Sequence, residues 1–331
     1  MKLTSIGILG AGTWGIALAR LLANAGHSVT VWSRSTVDVL LKTKRHPKLP
    51  EAKLPDTIKY TKVIAEAASG KEAVVFAVPS VHIRETARRV KPFITADTII
   101  VDASKGIEAS TLLTLTEVIA SELQNPSLSY VALSGPTHAE EVAIDLPTTI
   151  VAASEKEEAA RRVQELFHTP RMRVYTNADR KGVEICGALK NIIALAAGIS
   201  DGLGFGDNAK AALITRGLAE LTRLGSKLSC NPLTFAGLAG VGDLIVTCTS
   251  KHSRNNRCGF LIGSGTAPQD AVAKIGMVVE GINVLPAAIK LARLHKVDVP
   301  IIEAVNAIVF ENEDPARAVE GLFRREQKEE L

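Results

Sequence analysis

A glycine-rich turn stands between an apolar run and an amphipathic helix close to the start of this chain. The apolar run 5–9 leads directly into Gly10-x-Gly12-x-x-Gly15. In this context Gly10 permits a tight turn, Gly12 lets the backbone approach a pyrophosphate, and Gly15 lets the helix pack close to the strand. The N–H groups that begin the helix then face phosphate. The pattern predicts a Rossmann-type dinucleotide-binding domain, and a glycine-rich turn without a ligand is the alternative.

Length and charge limit the other classes of protein. The chain has 331 residues and is 46% hydrophobic, so it can bury a large core and is long enough for two domains. Its 39 basic and 35 acidic residues give a net charge of +4, without a basic block interleaved with aromatic residues. We therefore expect no nucleic-acid partner, whereas a local basic patch could bind a small anion.

The apolar runs and the cysteine spacing bear on the cellular location of the protein and on whether it binds a metal. Arg20 breaks the first apolar helix, which argues against a signal peptide, and we expect no other apolar run to approach the roughly 20 residues that span a bilayer. The four cysteines lack metal-ligand spacing. We expect a cytoplasmic protein with reduced thiols, no metal site and no membrane insertion.

Short apolar runs alternate with helical stretches in the first half of the chain. These runs are 5–9, 28–32, 73–78, 98–101 and 129–133, followed by 148–153 and 171–175 on either side of a charged helix at 155–168. Continuous apolar runs predict strands buried on both faces, and the helices between them make the sheet parallel. Beyond about residue 180 the apolar spacing is helical, with Asp207, Asn231 and Asp314 as predicted N-caps.

The predicted fold class is therefore α/β followed by all-α. A Rossmann-type domain with a parallel-rich sheet and an NAD(P) site is expected over residues 1–180. An all-helical substrate and catalytic domain is expected over residues 181–331.

The end of the second predicted strand bears on cofactor choice. Ser33 and Arg34 stand where NAD-specific sites place an acidic residue that holds the ribose 2′-hydroxyl. A carboxylate there would repel a 2′-phosphate, so its absence predicts that NADP is accepted as well as NAD. An ordinary surface arginine is the alternative interpretation of Arg34.

Lys190 is the anomaly of the helical half. It lies in the apolar stretch 187–198, which predicts a buried helix. Burial lowers the pKa of a lysine, which would let Lys190 act as a general acid and base. A lysine that snorkels to the surface from the helix end is the alternative.

Two later features carry donors and a carboxylate. Asp243 follows a glycine-rich loop, where it would cap a helix, bind substrate or hold Lys190. The stretch 253–257 reads Ser-Arg-Asn-Asn-Arg, a set of donors that suits a phosphate monoester. A solvated surface cluster is the alternative for this stretch.

Together these motifs resemble NAD(P)-dependent glycerol-3-phosphate dehydrogenase of the bacterial type over nearly the whole chain. The matching stretches are Gly10–Gly15, Val78–Ser80, Ser104–Gly106, Ser134–Thr137, Lys190–Asn191, Ser200–Gly206, Ala239–Leu244, Ser253–Asn255 and Val278–Gly281. The resemblance implies reversible oxidation of sn-glycerol 3-phosphate to dihydroxyacetone phosphate by NAD or NADP. It also implies supply of glycerol 3-phosphate for phospholipid synthesis, a C-terminal domain like that of 6-phosphogluconate dehydrogenase, and a homodimer.

Site residues are implied by the same resemblance. Besides the three glycines, the implied cofactor contacts are Thr13, Trp14, Arg34, Lys105, Ala139, Arg254, Val278 and Glu280. The implied substrate contacts are Lys105, Gly135, Thr137, Lys190, Asp243, Ser253, Arg254 and Asn255. Lys190 would be the proton acceptor, with Asp243 as the second catalytic residue. The sequence departs from the family at Thr137, where serine is common, and at His138, where an aromatic residue is usual, which puts the packing beside Ala139 in doubt.

Two other interpretations remain open at this point. The β-hydroxyacid and 6-phosphogluconate dehydrogenases also join a nucleotide-binding domain to a helical one and use a lysine. A redox sensor that binds NADP without turnover would have no use for Lys190, Asp243 and Arg254. A panel of phosphorylated and carboxylated substrates separates these possibilities.

Overall fold

The computed structural model describes residues 3–326 and residue 329. The chain forms two compact units, one made of the residues up to 185 apart from 109–112, and the other made of 109–112 and the residues from 186 onward. Helix α8 (Arg180–Gly202) runs through this division, and the predicted boundary at residue 180 falls at its first residue.

Strands alternate with helices through the first unit. In chain order the elements are β1 (Ser5–Leu9), α1 (Thr13–Asn24), β2 (Ser28–Trp32), α2 (Val37–Thr43), β3 (Lys59–Thr61), α3 (Ile64–Ala68), β4 (Ala73–Phe76), α4 (Ile83–Val90), β5 (Ile99–Asp102), α5 (Leu115–Leu123), β6 (Ser129–Ser134), α6 (Ala139–Val142), β7 (Thr148–Ala153), α7 (Glu157–Phe167) and β8 (Met172–Asn177). The predicted parallel-rich α/β architecture of this half is confirmed.

One mixed sheet runs in the order β3-β2-β1-β4-β5-β6-β7-β8. Every neighbouring pair is parallel except β6 and β7, which are antiparallel. Leu9 pairs with Trp32 on one side and with Phe76 on the other, and Phe76 pairs with Asp102. The carboxyl ends of β2, β1, β4 and β5 therefore meet at one edge, where an open parallel sheet binds ligands.

Apolar layers cover both faces of this sheet. Ile6 and Ile8 of β1 belong to a layer built on α1, whereas Leu9 and Phe76 belong to the opposite layer with Ile83 of α4. All five side chains are fully buried. Burial of each contributes about 1.5–3 kcal/mol, so the sheet edge that carries the glycine turn rests on a rigid base.

Helices make up the second unit, and the described residues from 186 onward contain no strand. After α8 come α9 (Asp207–Lys227), α10 (Pro232–Phe235), α11 (Asp243–Thr249), α12 (Arg254–Gly263), α13 (Pro268–Ile275), α14 (Glu280–His295), α15 (Pro300–Phe310) and α16 (Pro315–Phe323), with a π-helical turn at Leu238–Gly242. The all-helical prediction for this half is confirmed.

The predicted N-caps were right at two positions of three. The Asn231 side chain accepts a hydrogen bond from Leu233 N, and the Asp314 side chain accepts one from Arg317 N. The prediction at Asp207 was wrong by one residue, because Gly206 is the N-cap and Asp207 is the first helical residue. There its negative charge still favours the positive end of the helix dipole.

Among the described residues, two helical stretches are long and apolar enough to cross a membrane by length and composition alone, whereas the sequence prediction expected no run of that length. The apolar window of Arg180–Gly202 is completely buried, as in the core helix of a soluble protein, and that of Pro232–Thr249 is 44% buried. The four cysteines are all buried free thiols, as predicted.

A buried carboxylate joins two helices of the second unit. Glu220 of α9 is 2% exposed, and its two oxygens accept hydrogen bonds from Ile301 N (2.8 Å) and Ile302 N (3.2 Å) in the first turn of α15. Those N–H groups have no partner within the helix. Burial raises the pKa of Glu220 from 4.5 to about 7, against the lowering effect of the two backbone hydrogen bonds.

This pKa predicts a pH dependence of stability. Between pH 4.5 and about 7 the folded protein keeps a proton that the unfolded chain has lost. The free energy of unfolding therefore falls as the pH rises through this window, by up to roughly 3 kcal/mol from this group. We expect Glu220→Gln to flatten that fall in urea titrations at several pH values. Glu303→Gln, an exposed position on α15, is the matched control, and parallel profiles for all three proteins would contradict the assignment.

Candidate functional site

The glycine turn joins β1 to α1 as its three glycines predict. Gly10 has φ +118°, and a Cβ there would lie 2.4 Å from Ala77 O. A Cβ on Gly15 would lie 2.1 Å from Gly10 O. Both positions therefore exclude a side chain for reasons internal to the fold.

Gly12 is different, because a Cβ there would meet no atom within 4 Å. It is the N-cap of α1, no side chain caps this helix, and its first turn holds no acidic residue. The N–H groups of the first turn therefore point from an uncapped helix start toward open space, an arrangement that suits an anion. These observations fit a dinucleotide pyrophosphate: the protein leaves Gly12 bare where its own packing would allow a side chain.

Thr13 and Trp14 follow in the first turn of α1. Thr13 is 7% exposed, and Trp14 is partly buried and packs against the apolar layer of this helix. Their predicted cofactor contacts remain predictions, and the placement at the helix start is compatible with them.

At the end of β2 the two predicted residues have separate tasks. Ser33 Oγ accepts from Ser35 N (3.4 Å) and Thr36 N (3.3 Å), so it shapes the turn into α2. The Arg34 side chain is 55% exposed and lies 3.8 Å from a carboxylate oxygen of Glu85. Arg34 is therefore the group at this strand end that extends toward solvent.

Three predicted substrate residues of the first unit form one cluster. Gly135 O accepts a hydrogen bond from Lys105 Nζ at 3.2 Å and another from Thr137 Oγ1 at 3.1 Å. Lys105 follows β5 and the other two follow β6, so neighbouring strand ends bring them together. The ammonium and the hydroxyl are held side by side by one carbonyl.

A buried carboxyl group supports the loop that carries Lys105. Asp102, the last residue of β5, is 2% exposed and accepts from Ser104 N at 3.1 Å. Burial, reinforced by the charge of Glu184, raises the pKa of Asp102 well above its ordinary value. Glu184 accepts from Thr116 N at 2.8 Å and from Thr114 Oγ1 at 3.0 Å. The Ser104–Lys105 turn is thus anchored to the interior.

The predicted cofactor contact Ala139 is the first residue of α6 and is 8% exposed. His138, at which the sequence departs from the family pattern, is the N-cap residue of this short helix and is half-buried. Its imidazole makes no side-chain cap.

Lys190 is 4% exposed, and its ammonium bonds to Asp243 Oδ1 and to Thr247 Oγ1. Asp243 is fully buried. Thr247 Oγ1 donates to Asp243 O at 2.6 Å, which turns its lone pair toward the lysine. Lys190 therefore does not snorkel to the surface, because it belongs to a buried Lys190–Asp243–Thr247 cluster.

The cluster brings a lysine side chain, a carboxylate and a hydroxyl together where they are shielded from water. Cys248 lies next to the cluster in α11, and burial raises its pKa to about 12 despite the opposing charge of Lys190. The thiol therefore stays protonated near neutral pH.

The predicted phosphate stretch begins α12. Ser253 is its N-cap and accepts from Asn256 N at 3.2 Å, while Arg254, the first helical residue, is half-buried. Asn255 donates to Asn191 Oδ1 and accepts from Gly281 N, both at 2.9 Å. Asn255 therefore ties α8 and α14 to α12, with one amide hydrogen remaining for a ligand.

Val278 and Glu280 lie at the start of α14, next to the Gly281 that Asn255 holds. Glu280 accepts from Asn283 Nδ2 at 3.3 Å. A Cβ on Gly281 would lie 2.5 Å from Asn191 O, so this turn packs directly on the helix that carries Lys190.

The sequence prediction missed two residues that lie around Lys190, namely Thr247 and Asn191. Thr247 lies one helical turn after Asp243, so the spacing on α11 would have placed it beside the same lysine. Asn191 was noted only as a neighbour of Lys190 in a motif. Among the described residues no group of three or more His, Cys, Asp and Glu side chains could hold a metal ion.

Comparison with known proteins assigns both halves of the chain to one family. The sequence models for the N-terminus and the C-terminus of NAD-dependent glycerol-3-phosphate dehydrogenase match residues 5–160 and 179–320. Among curated relatives, glycerol-3-phosphate dehydrogenase [NAD(P)+] 2 of Lactobacillus delbrueckii subsp. bulgaricus is 56% identical over 99% of both chains. The glycerol-3-phosphate dehydrogenase [NAD(P)+] of Bacillus subtilis is 50% identical over 98% of this chain and 95% of its own.

A solved structure agrees with this assignment. The crystal structure of glycerol-3-phosphate dehydrogenase from Coxiella burnetii superposes with a TM-score of 0.93 at 40% identity, covering 98% of this chain and 99% of that one. The chain therefore belongs to the NAD-dependent glycerol-3-phosphate dehydrogenase family.

Proposed function

We propose that this protein catalyses the reversible oxidation of sn-glycerol 3-phosphate to dihydroxyacetone phosphate with NAD(P) as the hydride acceptor. The observation that carries the proposal is the buried Lys190–Asp243–Thr247 cluster in a chain of this family. It supplies a base in the helical unit, while the first unit supplies the glycine turn that suits the cofactor.

In this proposal Lys190 is the proton acceptor. The neutral amine takes the proton of the C2 hydroxyl during oxidation, and the ammonium returns it to the carbonyl oxygen during reduction. Asp243 stabilises the ammonium that forms, and Thr247, by donating to Asp243 O, keeps its lone pair on Lys190. The nicotinamide, when bound, accepts the hydride that leaves C2 and gives it back in the reverse reaction.

The first unit would bind the cofactor through the uncapped start of α1. Gly10, Gly12 and Gly15 shape the turn, and Thr13 and Trp14 extend it. Arg34 would contact the adenosine ribose, and Ala139, Val278 and Glu280 are further proposed cofactor contacts. Lys105 would place a positive charge near the reacting oxygen and the cofactor, with Gly135 and Thr137 as substrate contacts beside it.

Arg254, Ser253 and Asn255 would bind the substrate phosphate. A guanidinium is a strong partner for a phosphate oxyanion, and its position as the first residue of α12 adds the positive end of a helix dipole. Arg254 is also a proposed cofactor contact. Because the phosphate is remote from C2, its binding energy serves to orient the reacting carbon.

We expect Arg254→Ala to raise KM for glycerol 3-phosphate by roughly 10- to 100-fold, as for loss of a charged hydrogen bond, with a smaller change in kcat. Steady-state kinetics measure this. Arg293→Ala, at an exposed position on α14 in the same unit, is the control and should change neither constant. A variant of Arg254 that loses only thermal stability would show that this arginine belongs to the surface.

A substrate panel tests the reaction class. Glycerol 3-phosphate is compared with β-hydroxyacids and 6-phosphogluconate at equal concentration with NAD and NADP. We expect turnover of glycerol 3-phosphate only. Turnover of a hydroxyacid instead would move the chain's activity to the other dehydrogenase class, and tight NADPH binding without turnover of any polyol phosphate would favour a sensor.

We further infer a cytoplasmic protein that acts as a homodimer, binds no nucleic acid and does not insert into membranes. Supply of glycerol 3-phosphate for phospholipid synthesis is the proposed physiological role. The net charge of +4 and the complete burial of the apolar window of α8 support the inference of a soluble protein.

A further inference from the structure

We propose that Glu85 sets the balance between NAD and NADP by standing between two arginines, Arg34 and Arg89, at the ribose 2′ position. The inference rests on the proposed function, because it assigns a specificity role within the cofactor site proposed above. It concerns residues of the first unit alone.

Glu85 is shared by two guanidinium groups that come from different elements. Its Oε2 lies 3.8 Å from Arg34 Nη1 after β2, and its Oε1 lies 3.9 Å from Arg89 Nη1 one turn further along α4. Both distances are longer than hydrogen bonds. The three charged groups are therefore adjacent but not joined by hydrogen bonds, so their side chains can rearrange around a ligand at low energetic cost.

Trp32 holds Arg89 at the end of β2. The guanidinium carbon of Arg89 lies 5.0 Å from the centre of the Trp32 ring, within the range of a cation–π contact. Trp32 itself is 3% exposed, and its Nε1 donates to Lys62 O at 3.1 Å. A buried, hydrogen-bonded ring thus fixes the surface on which Arg89 rests.

The same strand end is bonded to the glycine turn. Gly10 N donates to Trp32 O at 2.9 Å. The charged group Arg34–Glu85–Arg89 therefore lies beside the turn that suits the pyrophosphate, where the adenosine ribose of a Rossmann-bound dinucleotide is read.

The chemistry of the two cofactors differs only at this position. A ribose 2′-hydroxyl is bound by a carboxylate, whereas a 2′-phosphate, with a charge between −1 and about −2 near neutral pH, is bound by arginines and repelled by a carboxylate. The end of β2 lacks its own carboxylate, and Glu85 supplies one from α4. Glu85 thus accepts a hydrogen bond from the 2′-hydroxyl of NAD. Arg34 and Arg89 bind the 2′-phosphate of NADP, and their attraction opposes the repulsion between this phosphate and the Glu85 carboxylate.

Calorimetric titration of the full-length protein with 5′-AMP and with 2′,5′-ADP tests this without turnover, because the two probes differ only by the 2′-phosphate. Glu85→Gln keeps the shape and removes the charge. We expect it to tighten 2′,5′-ADP by about three- to tenfold and to weaken 5′-AMP by about threefold, magnitudes typical of partly exposed charges. Arg89→Leu, which keeps apolar cover on Trp32, should weaken 2′,5′-ADP by about tenfold and leave 5′-AMP unchanged.

Matched controls come from two other arginine–glutamate ion pairs of the first unit. Glu157→Gln removes an exposed glutamate that pairs with Arg161 one turn along α7, and Arg88→Leu removes the arginine next to Arg89 in sequence, which pairs with Glu122. Neither should change the ratio of the two dissociation constants. An unchanged ratio in Glu85→Gln and Arg89→Leu, or an equal gain for both probes in Glu85→Gln, would overturn the inference.

The outcome also separates this inference from the proposed function. If the wild-type protein bound neither probe, the proposal of a cofactor site in the first unit would itself be wrong. The protein could instead bind both probes and turn over glycerol 3-phosphate, with a ratio of dissociation constants that does not change in the Glu85 and Arg89 variants. That result would contradict only the specificity role of these residues.

Discussion

Replacement of Lys190 by alanine is expected to lower kcat by about 10²–10⁴-fold in either direction of the reaction, the usual scale for loss of a general acid or base. The variant should still bind NADPH, because the glycine turn and Arg34 belong to the first unit. Lys190 is buried against Asp243 and Thr247, so water cannot replace its amine freely. Single-turnover measurements of the hydride step give the effect directly.

Loss of stability has to be separated from loss of chemistry in this variant. Removing the lysine leaves the fully buried Asp243 without its ammonium, which costs about 3–5 kcal/mol in comparable buried pairs. Lys190→Ala combined with Asp243→Asn removes the unpaired charge and should recover the melting temperature but not kcat.

Chemical rescue and a matched lysine complete the test. Methylamine added to Lys190→Ala should restore part of kcat, since it supplies an amine to the vacated position. Lys210→Ala is the control, because Lys210 pairs with Asp201 at 2.8 Å in the same unit and has no assigned part in the reaction. Turnover near that of the wild type in Lys190→Ala would remove this lysine from the mechanism.

Gly12→Val is expected to raise the dissociation constant of NADPH by roughly 100-fold or more while the protein stays folded. The backbone of Gly12 (φ −71°, ψ 176°) accepts any residue, and a Cβ there meets no protein atom within 4 Å. The added side chain therefore costs the fold little, but it occupies the approach of the pyrophosphate to the N–H groups of α1. Several charged hydrogen bonds are lost, each worth about tenfold in affinity.

Gly206→Val is the matched control for this variant. Gly206 is also an N-cap with extended backbone (φ −79°, ψ −174°) and with open space around its Cβ position. Valine therefore costs both helices a similar capping energy, about 1 kcal/mol. NADPH binding should be unchanged in Gly206→Val, and an equal loss in both variants would mean that Gly12 acts only through the stability of its helix.

The fold of the first unit was largely readable from the sequence because its signals are local. The buried strands are continuous apolar runs, and the glycine turn marks the residue at which β1 ends. β3 was missed since its three residues, Lys59–Thr61, contain no apolar run. The antiparallel pairing of β6 with β7 was also out of reach, because strand direction depends on how the intervening chain returns and not on the strand's own residues.

The candidate site was only partly readable, because its contacts are distant along the chain. Lys190 stood out as a charge within an apolar helix, but its partners Asp243 and Thr247 lie 53 and 57 residues further on. Ser33 and Asn255 were predicted as ligand-binding positions, but most of their hydrogen bonds are made within the protein. Ser33 accepts from backbone N–H groups, and Asn255 bonds to the Asn191 amide and to Gly281 N. Glu85 gave no sequence signal at all, since it reaches the end of β2 from α4.

The central claim is tested most directly by adding dihydroxyacetone phosphate to the purified protein with NADPH, and separately with NADH, and following loss of the reduced nicotinamide's absorbance. The account predicts oxidation of the cofactor with formation of glycerol 3-phosphate in equal amount. Absence of oxidation with either cofactor, from protein shown to bind NADPH, would contradict the assigned substrate while leaving the Rossmann-type fold in place.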